Sequence, residues 1–541
     1  MPSLNFKGKA LVQNYHLLVP YHELNPVKSK SLTEKVSLHD NLVVHGDNLK
    51  ALKALLPYYH GKVKCIYIDP PYNTGNEGWV YNDNVNSPMM QDWLGKVVDR
   101  EDLTRHDKWL CMMMPRLKLL REMLTDDGII FVSVDSVEAA HLRILMDEVF
   151  GPENFLADAA WEKRYTRSNN AKLFYSLKDT ILVYRRSDRT TLLREPRSEK
   201  TDGIYRNPDE DPRGEWTSSS YVNPATKAER PNLVYRIKNP HTGKWVEHPT
   251  HAWKYSPETH AEHVAEKRLW WGEDGQAKYP RLKVFKSDEG VVPIDVWHYQ
   301  TTGTTDEGGF SVKEIFGSAV FENPKPVSLV QRMLNLATKP DAHHVVLDCF
   351  AGSGTTGHAV LTQNETDGGS RRFVLVESEE YADPVTAERI RRVIKGVPKA
   401  KDAALRKGLG GSFSFFEIGA PMEIETILKG DKLPSYQSLA GYVFYTATGE
   451  EFDAKAVSRK TGFIGESAQY DVYLFYEPDL DYLRKTALTL DLARDLPKGS
   501  GKRRLVFAPT KYLDGIHLDE KRIDFCQLPY EIYKPLKSAK S

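Results

Sequence analysis

The sequence predicts an α/β protein in which two separated parts of the chain build one doubly wound sheet. A β-rich domain is inserted between them and an α+β domain follows. Three observations predict this. An apolar, strand-like run, Cys65-Ile66-Tyr67-Ile68, stops abruptly at Asp69-Pro70-Pro71-Tyr72. Far downstream a second run, Val345-Val346-Leu347-Asp348, enters a glycine turn and then a helix start. Between about 191 and 310 the strand–helix rhythm is lost, and glycine, proline, Tyr and Trp become frequent. At 541 residues the chain is too long for a single ordinary core, so two or three domains are expected.

The first forty residues are polar and are expected to lie on the core as irregular or lightly helical chain. From 41 to 190 strands and helices alternate. Asp69-Pro70-Pro71-Tyr72 interrupts both, because proline fixes φ and donates no N–H. What remains is a rigid stub with one carboxylate, carbonyls free of a competing amide, and an aromatic ring. Those parts suit an exocyclic amine: acceptors in the plane of the NH2 and a π-face for the base that bears it. Taken alone, the four residues also fit a strand-terminating turn with a surface aspartate. Over 109–124 apolar residues recur at helical spacing, with Pro115 implying a kink or a late start, and Met112-Met113-Met114 reads as core filler.

The insert carries Trp216, Trp245, Trp253, Trp270, Trp271 and Trp297 among Arg206, Arg213, Lys244, Lys254, Lys267, Arg268 and Lys283. Interleaved rings and cations suit nucleic-acid contacts. They also suit a small domain whose tryptophans are its own core, and that reading is favoured for most of the rings.

From 311 to 420 the rhythm returns, with a helix expected around 327–337. In Asp348-Cys349-Phe350-Ala351-Gly352-Ser353-Gly354-Thr355-Thr356, the glycines permit positive φ and close approach of a ligand. The helix start offers free N–H groups to an anion. A phosphate loop would need Gly-Lys-Ser/Thr and has no lysine here, and a dinucleotide fingerprint matches only in part. The next run, Arg372-Phe373-Val374-Leu375-Val376, ends in Glu377, where doubly wound folds bind ribose hydroxyls. A helix near 384–395 holds Arg389-Ile390-Arg391-Arg392, read as a solvated face or as part of a basic surface. Residues 410–417 give a last strand. Beyond 421, strands near 471–477 and 504–508 are expected to flank a helix over 479–494.

Composition sets bounds. With 40% hydrophobic and 27% charged residues the chain looks globular. No apolar run approaches the ~20 residues of a membrane span. The 4 cysteines (Cys65, Cys111, Cys349, Cys526) lack Cys-x-x-Cys spacing, so neither zinc nor disulfides are suggested and a reducing cytosol fits. The formal net charge of +0 sits badly with a nucleic-acid partner unless the charge is polarised, with a basic cleft and acidic outer surfaces.

Asp69-Pro70-Pro71-Tyr72 resembles the catalytic tetrapeptide of amino-methyltransferases that modify adenine N6 or cytosine N4. The glycine turn resembles the S-adenosylmethionine (SAM) site of DNA methyltransferases, in the form Asp-x-Phe-x-Gly-Ser-Gly-Thr-Thr. Here the catalytic motif precedes the cofactor motif. That order resembles the circularly permuted β-group enzymes, whose target recognition domain lies between the two halves. Supporting stretches in the family's order are Gly46-Asp47, the turn and strand over 126–135, Phe150-Gly151-Pro152, Trp161-Glu162-Lys163-Arg164 and Pro324-Lys325-Pro326; together they cover most of the first 420 residues. The closing Phe525-Cys526-Gln527-Leu528-Pro529-Tyr530-Glu531-Ile532-Tyr533-Lys534 resembles, more loosely, the end of type III restriction-modification methyltransferase subunits.

The resemblance implies a permuted Rossmann-like, SAM-dependent methyltransferase sheet. Its parts would be an extension (1–40), a catalytic half (41–190), a target recognition domain (191–310), a SAM-binding half (311–420) and a dimerisation or partner-docking domain (421–541). It implies transfer from SAM to adenine N6 of a base flipped out of double-stranded DNA, with no metal. Asp69 and the Pro70 carbonyl would accept the amine hydrogens, Pro71 would stiffen the loop, and Tyr72 would stack on the base. Phe350 would pack on SAM. Asp348 with Gly352, Ser353, Gly354 and Thr355 would hold its methionine portion, Glu377 its ribose, with Lys325 and Asp47 as neighbours. It further implies a homodimer, a translocase-nuclease restriction subunit as partner, and a place at the nucleoid of a prokaryotic cytoplasm. Cytosine-N4 transfer and a mainly sequence-reading subunit are the alternatives; Asp rather than Ser as first motif residue tilts toward adenine.

Overall fold

Short runs of Val, Ile and Leu bounded by turns build a mixed sheet of ten strands. In chain order they are β1 (His22–Pro26), β2 (Leu42–His45), β3 (Val63–Ile68), β4 (Leu124–Val134), β5 (Phe155–Glu162), β6 (Lys178–Arg185), β7 (Val296–Trp297), β8 (Val345–Asp348), β9 (Arg372–Glu377) and β10 (Ser414–Pro421). The computed structural model describes residues 4–73, 105–166, 173–191, 193–287, 289–422, 433–497 and 500–528. Arg167, Thr74 and Gly75 after the tetrapeptide, and the closing stretch from Pro529 onward lie outside the described residues.

Across the sheet the order is β1-β10-β2-β9-β8-β3-β4-β6-β5-β7. The six strands from β10 to β4 run parallel. β1 and β6 are antiparallel to their neighbours. The central strands read as unbroken apolar runs because both faces are covered: Val43, Ile66, Leu347 and Leu375 are all at 0% exposure. The covering helices include α1 (Asn48–Tyr59), α2 (Arg105–Met123), α3 (Ala139–Phe150), α4 (Val327–Ala337), α5 (Thr355–Asp367) and α6 (Glu388–Lys395). Among the described residues no helix is long and apolar enough to cross a membrane.

Three expectations need correction. The first forty residues hold a strand: β1 pairs antiparallel with β10 and covers an edge that would otherwise expose unpaired backbone. Pro115 neither starts nor ends α2, which runs through it, because Met112, Met113, Met114 and Leu117 are buried around it and their packing offsets a cost of about 3 kcal/mol. The helix expected over 479–494 is two helices, Leu480–Lys485 and Leu490–Asp495. Asp479 caps the first and Thr489 the second, and between them Leu488 turns aside to bond the Thr510 carbonyl at 2.9 Å.

Leu193–Pro293 forms a compact unit of its own. It is β-rich: Trp216–Ser220, Arg281–Phe285 and Leu269–Trp270 pair in one sheet, and two further hairpin-like pairs stand beside it. The longer of its two described α-helices, Pro257–Ala265, is capped by Ser256. Tyr221, Ile237, Trp253, Trp271 and Leu282 make its core, so most of the tryptophans do pack inward, while Trp245 is 60% exposed. Residues 294–310 lie outside this unit. There β7 pairs with Ala160 and Trp161 of β5, and Trp297 is buried beside Phe131.

Past β10 a second sheet follows, ordered β11 (Phe463–Glu466), β12 (Tyr470–Leu474), β13 (Arg503–Ala508), β14 (Ile523–Gln527). It leans on α1 and β1 through the helix Tyr436–Thr448. The Tyr442 ring lies 4.4 Å from Tyr21, and Phe452 lies 5.9 Å from Tyr58.

Candidate active site

Because β2, β9, β8 and β3 are parallel neighbours, their carboxyl ends bring Asp47, Glu377, Asp348 and Asp69 to one edge of the sheet. Open α/β sheets bind ligands at that edge. A cleft of about 830 Å³ opens there. Ligand clefts span about 300–1,000 Å³, so a nucleoside cofactor and an unstacked base fit side by side.

The tetrapeptide forms one wall. Asp69 Oδ2 pairs with the Lys325 ammonium, while Oδ1 is buried with no partner among the described residues. The Lys325 ammonium also lies 5.1 Å from the centre of the Tyr72 ring. The Tyr72 hydroxyl donates to Asp179 Oδ2 at 3.4 Å, and burial pushes its pKa well above the ordinary 10. The Pro71 carbonyl accepts from the Trp109 indole at 2.6 Å. Among the described residues nothing donates to the Pro70 carbonyl.

Two helices hold this loop. Asn73 adopts a left-handed φ of 55°, and its buried carboxamide donates to Oε1 of Glu138, a fully buried carboxylate just before α3. His106 of α2 places Nδ1 2.7 Å from the same oxygen, and His141 of α3 places its own 3.1 Å from Oε2.

The glycine turn forms the facing wall. Asp348 Oδ1 accepts the Phe350 N–H at 3.0 Å and Oδ2 accepts the Thr356 hydroxyl at 2.5 Å. Burial nevertheless pushes this carboxyl up to about 7, with Asp69 reinforcing the effect and Lys325 opposing it. Gly352 (φ 53°) and Gly354 (φ 79°) make the turn, and a Cβ on Gly354 would lie 3.0 Å from the Thr386 carbonyl. Glu377 Oε2 accepts the Gly352 N–H at 2.7 Å; Oε1 accepts the amides of Ser378 and Glu379 at 2.9 and 3.1 Å. Asp47 caps α1 by accepting from Lys50 N at 3.0 Å.

Of the residues singled out from sequence, Asp69, Pro70, Pro71, Tyr72, Lys325, Asp348, Phe350, Gly352, Ser353 and Thr355 line one cleft. Gly354, Glu377 and Asp47 are not on its wall. Lys325, expected beside the cofactor loop, is also paired with the Asp69 carboxylate. Sequence reasoning missed Asp179, Trp109 and Glu138, which reach the loop only through the fold. Asp179 had one local signal: it is an acid at the head of the apolar run 180–184. Its Oδ1 takes the Lys163 ammonium at 2.6 Å.

These residues fit SAM. The buried Asp348 carboxyl would be favoured in its ionised form by a cation such as the methionine ammonium, and Gly352 lets a ligand approach the turn's backbone closely.

Residues 63–388 match the DNA methylase family of adenine-N6 and cytosine-N4 enzymes. The chain is 30% identical to the Mod subunit of the type III restriction-modification enzyme StyLTI of Salmonella typhimurium, over 84% of this chain and 74% of that protein. That share exceeds the whole stretch up to Pro421. It is also 30% identical to the type II methyltransferase M.KpnI of Klebsiella pneumoniae, over 69% of this chain and 88% of that one. The solved cytosine-N4-specific PvuII DNA methyltransferase superposes over 68% of this chain and 89% of that one, at 12% identity and a TM-score of 0.36, too slight to carry an argument. The chain belongs to the DNA methylase family and, within it, with the modification subunits of type III restriction-modification enzymes: it is a SAM-dependent, adenine-specific DNA methyltransferase.

Proposed function

We propose that Asp69 Oδ1 and the Pro70 carbonyl accept the two N6 hydrogens of an adenine flipped out of double-stranded DNA. The observation that carries this is the buried Asp69 Oδ1, without a partner among the described residues, next in sequence to a carbonyl that none of them bonds, in a cleft also lined by the glycine turn. Trp109 supports the choice between the two proline carbonyls, because its indole already occupies that of Pro71. With both hydrogens held, the nitrogen lone pair is turned toward the facing wall. SAM, when bound there, supplies an electrophilic methyl group on a sulfonium. Tyr72 offers its face to the extruded base, after the Lys325 ammonium has moved off the ring. Asp348 with the glycine turn would hold the methionine portion, Phe350 would pack on the cofactor, and Glu377 would act on the ribose side. Glu377 is bound to the Gly352 amide, so it also fixes the turn. Holding both reactants in attack geometry supplies much of the rate. Asp69 is the nearest base for the proton released.

The unit Leu193–Pro293 is assigned to target recognition, since it interrupts the sheet between its catalytic and cofactor strands. The region beyond 421 is assigned to homodimerisation or to docking a translocase-nuclease restriction subunit. A cytoplasmic place beside the nucleoid follows from that work.

Mass spectrometry of nucleosides from unmethylated DNA treated with protein and SAM, with Asp69→Ala alongside, tests the reading. N6-methyladenine from the wild type alone is expected. N4-methylcytosine would overturn the base assignment. N6-methyladenine at undiminished yield from Asp69→Ala would overturn the role of that carboxylate.

A further inference from the structure

Helix α6 carries an arginine where its apolar stripe runs. Ile390, Val393 and Ile394 face inward, and Arg389 lies among them at 0% exposure. Its neighbours Arg391 and Arg392 behave as surface cations, each paired with Glu388. Arg389 has no carboxylate within ion-pair distance among the described residues. Nη1 donates to Ser353 Oγ and to Thr355 Oγ1, both at 2.9 Å. A third, longer contact reaches the Ser353 carbonyl at 3.4 Å. Nη2 lies 3.2 Å from Nδ1 of His358. Burial holds that imidazole well below its ordinary 6.5, so it is neutral and adds an acceptor but no charge. Nε has no partner.

Burying an unpaired charge is costly, and buried arginines are as a rule matched by an acid. The same half of the sheet supplies the comparison. Arg371 is 3% exposed and grips Asp367 with both terminal nitrogens, at 2.8 and 2.9 Å. Among the described residues, Arg389 is the buried arginine left without such a partner. What it touches instead opens on the cleft: Ser353 and Thr355 both line it. Thr355 also starts α5, whose first turn has no side-chain cap and therefore presents free N–H groups to the same corner. A cation, the Ser353 hydroxyl it bonds, and a helix N-terminus converge there; the Thr355 hydroxyl already donates to the Lys325 carbonyl at 3.2 Å and lies 3.2 Å from Ser353 Oγ. Only an anion is favoured by all three.

We infer that Arg389 is a positioning residue for the cofactor, its charge matched across the Ser353 and Thr355 hydroxyls by the methionine carboxylate of SAM. The inference rests on the glycine turn being the cofactor loop. Arg389 touches no reacting atom; it fixes the far end of the cofactor and thereby the distance from the methyl group to the amine held by Asp69.

Decarboxylated SAM retains the sulfonium, the adenosine and the amine but lacks the carboxylate, so it isolates this contact. Affinities of SAM and decarboxylated SAM are to be measured by titration calorimetry on the wild type, Arg389→Met and Arg389→Lys. Acting as a charge one hydroxyl layer away, at an effective dielectric of about 20, Arg389 should matter enough that Arg389→Met weakens SAM by roughly 10- to 100-fold. It should leave decarboxylated SAM within a few-fold, and Arg389→Lys should fall between. Equal weakening of both ligands would reduce Arg389 to a packing role and overturn the inference, as would no weakening of either. If Arg389→Met does not fold, the wild type decides: equal affinity for the two ligands overturns the inference, and a clear preference for SAM that Arg389→Lys narrows supports it. A wild type that binds neither ligand would instead overturn the reading of the glycine turn.

Discussion

The two aspartates facing each other across the cleft differ in what their burial implies. Asp69 presents one bare oxygen where an amine is expected. Asp348 is pushed from an ordinary value of 3.8 up to about 7 by burial. Since its folded value is the higher one, its stabilising contribution is complete below about pH 4 and is lost as pH rises through 7. The ligand-free wild type should therefore lose thermal stability between about pH 4 and 7 by more than Asp348→Asn does, and SAM should narrow that gap by bringing an ammonium to the carboxylate. Parallel melting profiles of the two proteins would show that Asp348 does not titrate in this range. At this scale the sequence was legible wherever chemistry is local. Asp69 to Tyr72 and Asp348 to Thr356 carry their meaning in consecutive residues. Glu138, Trp109 and Asp179 do not, because each meets the loop from another segment. Arg389 lay between: taken with its neighbours it reads as surface charge, yet its place on the stripe of Ile390 and Val393 already pointed inward.

Elements with strong periodicity or firm caps were legible, and those defined by a neighbour were not. α4 falls on Val327–Ala337, as its spacing predicts, because its apolar face alone determines it. β1, His-Glu-Leu-Asn-Pro, has no alternation to read. It is a strand only because β10 offers an open edge. Deleting residues 1–26 should therefore leave β10 as an exposed edge strand, with a lower melting temperature and concentration-dependent self-association in light scattering. A truncated protein that stays monomeric and melts like the full chain would mean that β1 is ornamental. The broken helix after β12 teaches the same lesson. Two capping residues ten apart, Asp479 and Thr489, were visible in the sequence, but their meaning depended on Leu488 bonding to a strand end elsewhere.

For the whole molecule, the insert stood out because its composition differs from its surroundings, although the compact unit ends at Pro293 rather than 310, and contacts between distant segments were not legible. The expected basic cleft is one such case. Lys163 and Lys325 do line the cleft, yet each is paired with an aspartate, Asp179 and Asp69, so the wall is less cationic than a count of lysines suggests. The region past β10 is another. It covers Tyr21 and Tyr58 with Tyr442 and Phe452, and Gly441 approaches so closely that a Cβ there would lie 2.9 Å from the Tyr58 hydroxyl. A protein ending at 432 should thus melt several degrees lower than the full chain. An unchanged melting temperature would assign that region to partner binding alone.

The permuted strand order also bears on how the protein comes into being. β2 and β3 emerge early from the ribosome, but β8 and β9, which fill the gap between them, arrive some 277 residues after Ile68. At roughly 5–20 residues per second, the interval is on the order of 15–55 s. For that time two apolar strands must wait without their central partners, exposed to wrong pairings. The site cannot exist earlier either, since Asp69 and the glycine turn meet only when the gap closes. Methylation by a newly made chain therefore begins only after most of it has been translated, a built-in lag that any system pairing this activity with DNA cleavage must outlast.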